Sequence, residues 1–308
     1  MGGNEPLVSV VLISHARPEL VGEALGSVVA QTVRDREIIV VDNRSEKSEE
    51  IARIVAGHDE VRLVAAPVNL GFPGAVNLGL HHARGRYVFV TEDDILLPPG
   101  GLATLIAYLD AHPEAGIATS RLVEVTTGML LYAGGDVTLG PVFRMSVPDR
   151  GAPDRDFDPA PLAVSYVPVG MMLVRRAVVE RIGELYAEFF MYYEDVEFGL
   201  RAMVAGYGIV CLRGLRLQHH ASPPTGNVTR VEFHKIKNLR VLYLLHAPAR
   251  VLPEFLVRYG VAEPLRTLAR QPWRFLLMVR AWAWVLARLP WLLRERRRIA
   301  RLRAPRAA

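Results

Sequence analysis

Apolar residues follow two rhythms along the first hundred positions. LVSVVLIS (7–14), REIIVVD (36–42), VRLVAA (61–66) and RYVFVTED (86–93) are nearly continuous apolar runs, the pattern of strands buried on both faces of a parallel sheet. Between them, PELVGEALGSVVAQT, SEEIARIVAGH and GAVNLGLHHARG carry apolar residues at the spacing of one helix face. Strand, helix, strand repeated along the chain predicts an α/β fold, a mostly parallel, right-handed, doubly wound sheet flanked by helices. Ligands of such sheets bind beyond the carboxyl ends of the strands. Here those ends are polar: Ser14 to Arg17, Asp42 to Ser45, and Glu92 to Asp94.

A helix over roughly 99–112 and a short strand GIATS follow. The pattern then loosens through a Gly-, Pro- and Asp-rich stretch at 133–161, read as a mobile loop or an excursion over the site. Order returns with VSYVPVGMMLVRR, a helix at AVVERIG, the segment FFMYYEDVEFGLRAMVAG leading into another helix, and strands YGIVCL and LRLQHH. ASPPTGNVT reads as a linker, dividing the chain into a region 1–225 and a helical region 226–308.

The C-terminal stretch WRFLLMVRAWAWVLARLPWLLRERRRIARLR is apolar enough to suggest a membrane span, but Arg274, Arg280 and Arg288 interrupt it before about 18 uncharged residues accumulate. At 100° per residue those three fall within an arc of roughly 120°. That pattern fits an interfacial helix on anionic lipid, flanked by basic Arg294, Arg296, Arg297 and Arg298. The alternative is a helical pair packed on its own domain or on a second subunit. Charge sharpens the contrast. The chain carries a net +5, yet residues 266–308 contain twelve Arg and one Glu, leaving a mildly acidic body with a basic tail. A nucleic-acid binder would spread its charge over the fold. With 22% charged and 51% hydrophobic residues, disorder of the whole chain is excluded. Cys211 alone builds neither a disulfide nor a Cys-type zinc site, and MGGNEPLVSVV lacks the features of a secretion signal, so a cytoplasmic location is expected.

Three clusters carry candidate chemistry. Glu92-Asp93-Asp94 stands where a buried strand runs out, and three adjacent carboxylates repel one another unless a divalent cation joins them. On an extended chain Glu92 and Asp94 would point one way and Asp93 the other. An isolated triplet reads equally as a solvated turn. Glu194-Asp195 follows an aromatic run; a carboxylate beside buried aromatics can have a raised pKa and act as a general base, or simply cap the helix. His219-His220 ends a strand, and only one of two adjacent strand residues can reach a given metal.

The ordered segments VSVVLISHARP, EIIVVDN, NLGFPGAVNLGL, ARGRYVFVTEDD, VGMMLVRR, FFMYYEDVEFGLR and LQHH resemble those of the family 2 glycosyltransferases, especially their bacterial rhamnosyltransferase-like branch, over roughly residues 7–222. The resemblance implies a GT-A type fold, with a nucleotide-sugar half at about 1–120 and an acceptor half at about 121–225. It places Ser14, His15 and Arg17 in the base pocket and Asp42 on the base or ribose. Asn69, Gly71, Gly74 and Asn77 would lie beside the nucleotide. Glu92, Asp93 and Asp94 match the acidic motif, with Asp94 as principal ligand of Mg²⁺ or Mn²⁺, Glu92 on the metal, its water or ribose, and His219 as a further ligand. Asp195 would deprotonate the acceptor and Glu194 would help position it.

The implied reaction is inverting transfer from dTDP-rhamnose or a UDP-sugar to a saccharide or lipid-linked acceptor, in surface-glycan synthesis on the inner face of the plasma membrane. No nucleic acid is expected. Glu92 and Glu197 stand where the family usually has Asp, and Ser14-His15-Ala16 replaces its common Thr-Tyr-Asn. A nicotinamide-dependent oxidoreductase would need a glycine fingerprint where SHARPEL stands. A nucleotidyltransferase would leave the aromatic-ED segment unexplained, and a non-catalytic scaffold would not need both Asp94 and Asp195.

Overall fold

The computed structural model describes residues 5–220 and 227–303. Residues 221–226, most of the expected linker with its boundary at 225, lie outside the described residues.

The first half follows the predicted alternation: Val8–Ser14 (β1), Pro18–Val29 (α1), Arg36–Asp42 (β2), Ser48–Val55 (α2), Val61–Ala65 (β3), Gly71–His82 (α3) and Tyr87–Glu92 (β4). All seven residues of β1 are buried, as a central strand covered on both faces requires. β1 pairs in parallel with β2 and β4, setting Ser14 opposite Asp42 and Ile13 opposite Glu92. The polar strand ends therefore stand in one row.

Beyond them come Ile95–Leu96 (β5), Gly101–Ala111 (α4) and Ala115–Glu124 (β6). β6 outruns the expected GIATS because its charged residues are satisfied where they stand: Arg121 pairs with Asp154 at 3.1 Å, and Glu124 accepts the amides of Thr126 and Thr127. The stretch expected to be a mobile loop follows Leu130–Tyr132 (β7) and contains a hairpin, Asp136–Leu139 (β8) with Phe143–Ser146 (β9). The hairpin is tied down, since the Tyr243 hydroxyl donates to Gly140 O at 2.8 Å and Ser165 Oγ donates to Asp136 at 2.8 Å.

After Leu162–Ala163 (β10), only Met171–Arg175 (β11) of the segment at 164–176 is a strand. Pro168 lacks the N–H that a ladder needs. β11 runs antiparallel between β4 and β6, so the sheet is mostly rather than wholly parallel, in the order β10-β12-β6-β11-β4-β1-β2-β3. Arg176–Ile182 (α5) and Glu194–Val204 (α6) precede Gly208–His219 (β12). The two strands expected at 207–220 are one, with a register shift between Leu212 and Arg216 beside β6.

The remaining helices are Val228–His246 (α7), Leu252–Val257 (α8), Glu263–Arg270 (α9), Pro272–Ala287 (α10) and Leu289–Leu302 (α11). Asn227 caps α7 by accepting the amides of Thr229 and Arg230. Leu277, Met278 and Ala281 of α10 pack on Ile236, and Val285, Leu292 and Ile299 pack with Val241 and Leu245. One face of the basic tail thus lies on its own chain. The charges expected to face lipid partly turn inward: Arg274 pairs with Glu232 at 3.2 Å, and Arg296 donates to Leu244 O at 2.8 Å and Ala247 O at 2.7 Å. Arg298 donates to Ile182 O at 2.8 Å. Carbonyls left over at element ends draw these guanidinium groups in. The opposite face leaves Leu265, Trp273, Leu276, Val279 and Leu286 exposed. Among the described residues no single helix is long and apolar enough to cross a membrane; α10 and α11 together have that length and composition but meet at 68°.

Candidate active site

β4 stops at Glu92, and Asp93 and Asp94 occupy a turn into β5. The expected alternation of the triplet therefore fails, because it presumed extended backbone through all three. Asp93 turns inward, where it is buried and accepts Ser14 Oγ at 3.0 Å and the His15 amide at 3.1 Å. Arg17 bonds Asp93 through one guanidinium nitrogen and donates to Asp94 Oδ2 at 2.7 Å through the other. So Ser14, the His15 backbone and Arg17, expected around a base, surround the acidic turn itself. The His15 ring reaches within 3.5 Å of the Asn69 side chain.

β5 pairs with β12, setting Ile95 opposite His219. This brings His219 Nε2 to 3.3 Å from Asp94 Oδ2, while His220 Nε2 lies 2.9 Å from Glu23. The two histidines diverge as strand geometry demands, and His219 is the one at the acidic turn. Burial opposes ionisation of Asp94, but His219 and Arg17 outweigh it and hold the carboxyl below its usual range. Glu92 is pushed up to about 8, by the chain around it first and then by Asp94 and Asp93. Its carboxylate lies over Gly170, where a Cβ would stand 2.1 Å from Oε1.

Across this polar region stands the start of α6, with Glu194, Asp195 and Glu197 in its first turn. Asp195 Oδ2 accepts the Tyr166 hydroxyl at 3.1 Å and Oδ1 accepts the Val196 amide at 2.7 Å. Burial raises the Asp195 pKa to about 6 against the pull of those bonds. Glu194 is raised well above the carboxylate range by burial, then by Asp195 and Glu92. The charge of Asp195 is felt at Glu92, and that of Glu92 at Glu194, so both acidic motifs share one electrostatic neighbourhood.

The other expected residues divide. Asp42 is buried, and its oxygens accept the Ser45 amide at 2.8 Å and the Ser48 hydroxyl at the start of α2. Asn69 accepts the Gly71 amide at 2.9 Å. Gly71, at φ 71°, permits an approach in which a Cβ would lie 2.3 Å from Phe190 O. Gly74 makes room for Leu70. Asn77 is turned to Leu185, donating to its carbonyl at 2.7 Å and accepting its amide at 3.1 Å. Gly74 and Asn77 thus join α3 to its neighbours. Glu197 meets Arg201 at 2.8 Å and His246 at 3.0 Å, so its longer arm is used inside the protein.

Sequence reasoning missed Tyr166, whose only signal was a hydroxyl-bearing aromatic in an apolar run, and the buried Lys237 and Asn238 of α7. Among the described residues, no three His, Cys, Asp or Glu side chains gather to hold a metal unaided. Asp94 and His219 nevertheless supply two adjacent donors, and Asp94 Oδ1 is buried with no hydrogen-bond partner among the described residues. A carboxylate oxygen and an imidazole nitrogen suit a divalent ion.

A family model described as "Glycosyl transferase family 2" matches residues 9–183. The chain is 24% identical over 205 residues to an uncharacterized glycosyltransferase of Haemophilus influenzae, covering 63% of this chain but only 59% of that relative's length. It is 25% identical over 241 residues to the N-acetylglucosaminyl-diphospho-decaprenol L-rhamnosyltransferase of Mycobacterium tuberculosis, covering 71% and 78%. Among solved structures, mannosyltransferase PcManGT from Pyrobaculum calidifontis, in complex with GDP-Man and Mn²⁺, matches with a TM-score of 0.54 at 19% identity, covering 92% of this chain and 76% of that one. The fold is of the GT-A type.

Proposed function

The chain belongs to glycosyl transferase family 2, and from that premise we propose that it performs metal-dependent, inverting transfer of a sugar from a nucleoside diphosphate. dTDP-rhamnose is the favoured donor and a UDP-sugar the alternative; the similarity to a rhamnosyltransferase supports the first. The observation that carries the reading is that Asp94, paired with His219, and Asp195, bonded to the Tyr166 hydroxyl, belong to two acidic clusters close enough for both charges to be felt at Glu92.

A divalent cation, Mg²⁺ or Mn²⁺, bound by Asp94 and His219 would supply positive charge to the donor's diphosphate. Asp195 takes the proton of the acceptor hydroxyl as its oxygen bonds to the anomeric carbon, and the bond to the diphosphate breaks on the opposite face. Glu194, its pKa raised by burial and then by Asp195 and Glu92, helps position the acceptor. The acceptor is a saccharide or lipid-linked saccharide. The exposed apolar face of α9 and α10, with its arginines, supports docking on the anionic inner surface of the plasma membrane.

The test is nucleotide release from a panel of dTDP- and UDP-sugars with Mg²⁺ or Mn²⁺, beside Asp94→Ala and Asp195→Asn. Release of one nucleotide, dependent on metal and lost in Asp94→Ala, is expected. Silence across the panel, with no nucleotide binding by calorimetry, would sink the reading.

A further inference from the structure

The loop that delivers Asp195 is strained. Phe190, Tyr192 and Tyr193 hold φ values of 65°, 66° and 68°, in the region that side-chain-bearing residues avoid. Such backbone persists only where its surroundings over-determine it. On one side the loop meets α3, where the Phe72 amide donates to Phe190 O at 2.8 Å. On the other it meets α7, and that grip is the more extensive.

Asn238, fully buried, aims its side-chain amide at three carbonyls of the loop: Phe189 at 2.9 Å, Met191 at 2.7 Å and Tyr192 at 2.8 Å. Lys237 donates to Glu188 O, and His234 Nδ1 lies 3.2 Å from Phe189 O while its ring stacks on Phe190. Arg230 sits 4.4 Å over the Phe190 ring and Lys235 4.8 Å over that of Tyr192. A buried lysine and asparagine on a helix are costly unless each finds acceptors, and here the acceptors are backbone carbonyls of the strained loop.

We propose that Asn238, assisted by Lys237, is a positioning residue for sugar transfer: it fixes the 189–193 loop in the shape that sets where Asp195 stands. The helical region after residue 226 is then part of the catalytic unit. This rests on the reading of Asp195 as the base.

The test uses the full chain with Asn238→Leu, which keeps bulk and removes the amide, and Lys237→Met, which removes the neighbouring donor. Folding is checked by thermal unfolding, nucleotide affinity by calorimetry with dTDP and UDP, and turnover by nucleotide release from the active donor. Positioning predicts that kcat falls at least tenfold in Asn238→Leu, and less in Lys237→Met, while nucleotide affinity and donor KM stay within about twofold. A folded variant with wild-type kcat, or a loss of kcat matched by an equal loss of nucleotide affinity, overturns the proposal. If Asn238→Leu does not fold, the same criteria apply to Lys237→Met. Asp195→Asn run in parallel separates the two ideas. Retained turnover there removes the base assignment itself, whereas its loss beside unaffected α7 variants removes only the positioning role.

Discussion

Arg17 donates to Asp94 at 2.7 Å and also bonds the neighbouring Asp93, so one guanidinium spans both acids of the turn that ends β4. Together with His219 beside Asp94, its charge lets the two carboxylates stand side by side.

Replacing it exposes what it balances. Arg17→Gln should destabilise the protein by about 1–3 kcal/mol, less than for a wholly buried pair because Arg17 keeps access to water. Mn²⁺ should return part of that loss, since an ion that binds the folded state stabilises it. Thermal unfolding with and without Mn²⁺ reads the effect, and an equal Mn²⁺ shift in wild type and variant would deny any competition between the arginine and the ion.

The two aspartates of the turn should separate by function. Asp94→Ala is expected to slow metal-dependent nucleotide release by about 10²-fold or more. Asp93→Asn, which weakens bonds to Ser14 and Arg17, should cost about 1–3 kcal/mol of stability and keep the metal response. Equal losses of activity at matched stability would contradict the division.

A base works as its carboxylate, and burial sets the Asp195 pKa at about 6, so the rate should rise with pH through about 6 and level off above it. The Tyr166 hydroxyl stabilises the charged form, and removing it raises the pKa further. Tyr166→Phe should therefore move the acid limb of the pH–rate profile to higher pH. An unmoved or lowered limb would show that this hydroxyl does not tune the base.

The two faces of the basic tail predict opposite phenotypes. Removing apolar bulk from the exposed face, in Trp273→Ala with Leu276→Ala, should weaken binding to anionic vesicles by about tenfold or more with little change in melting temperature. Arg296→Ala, which loses bonds to Leu244 O and Ala247 O, should cost about 1–3 kcal/mol of stability and leave vesicle binding intact. Co-sedimentation and thermal unfolding distinguish them, and reversed phenotypes would place the lipid face elsewhere.

The sheet was legible from β1 to β4 because continuous Val and Ile runs and polar strand ends are local signals. The antiparallel insertion of β11 was not, since strand direction is decided by tertiary neighbours that periodicity does not report. β6 looked short because Arg121 and Glu124 read as surface until Asp154 and two threonine amides are seen to satisfy them. Within the site, Asp94, Asp195 and His219 were legible as motif residues. Arg17 was visible, but its bonds to Asp93 and Asp94 were not, for those partners lie 76 and 77 positions away. Asn77 and Gly74 matched a motif, and the bonds of Asn77 to Leu185 and the room Gly74 leaves for Leu70 were not legible, because no pattern of residue types reports such packing.

The bare α-carbon of Gly170 lies directly beneath the Glu92 carboxylate. A methyl group there would collide with Oε1 and stand 2.9 Å from both Cγ and Cδ of the acid, so shortening it to an aspartate would not clear the space. The two positions, one at the end of β4 and the other in the turn before β11, 78 residues apart in sequence, therefore hold a fixed volume between them. Gly170→Ala should therefore be tolerated only where the side chain at 92 vacates this contact, and Glu92→Asp alone should not rescue it. The side chain at 92 is thus a joint property of β4 and the turn before β11, and a substitution scan reading each position singly would mistake that coupling for two independent demands.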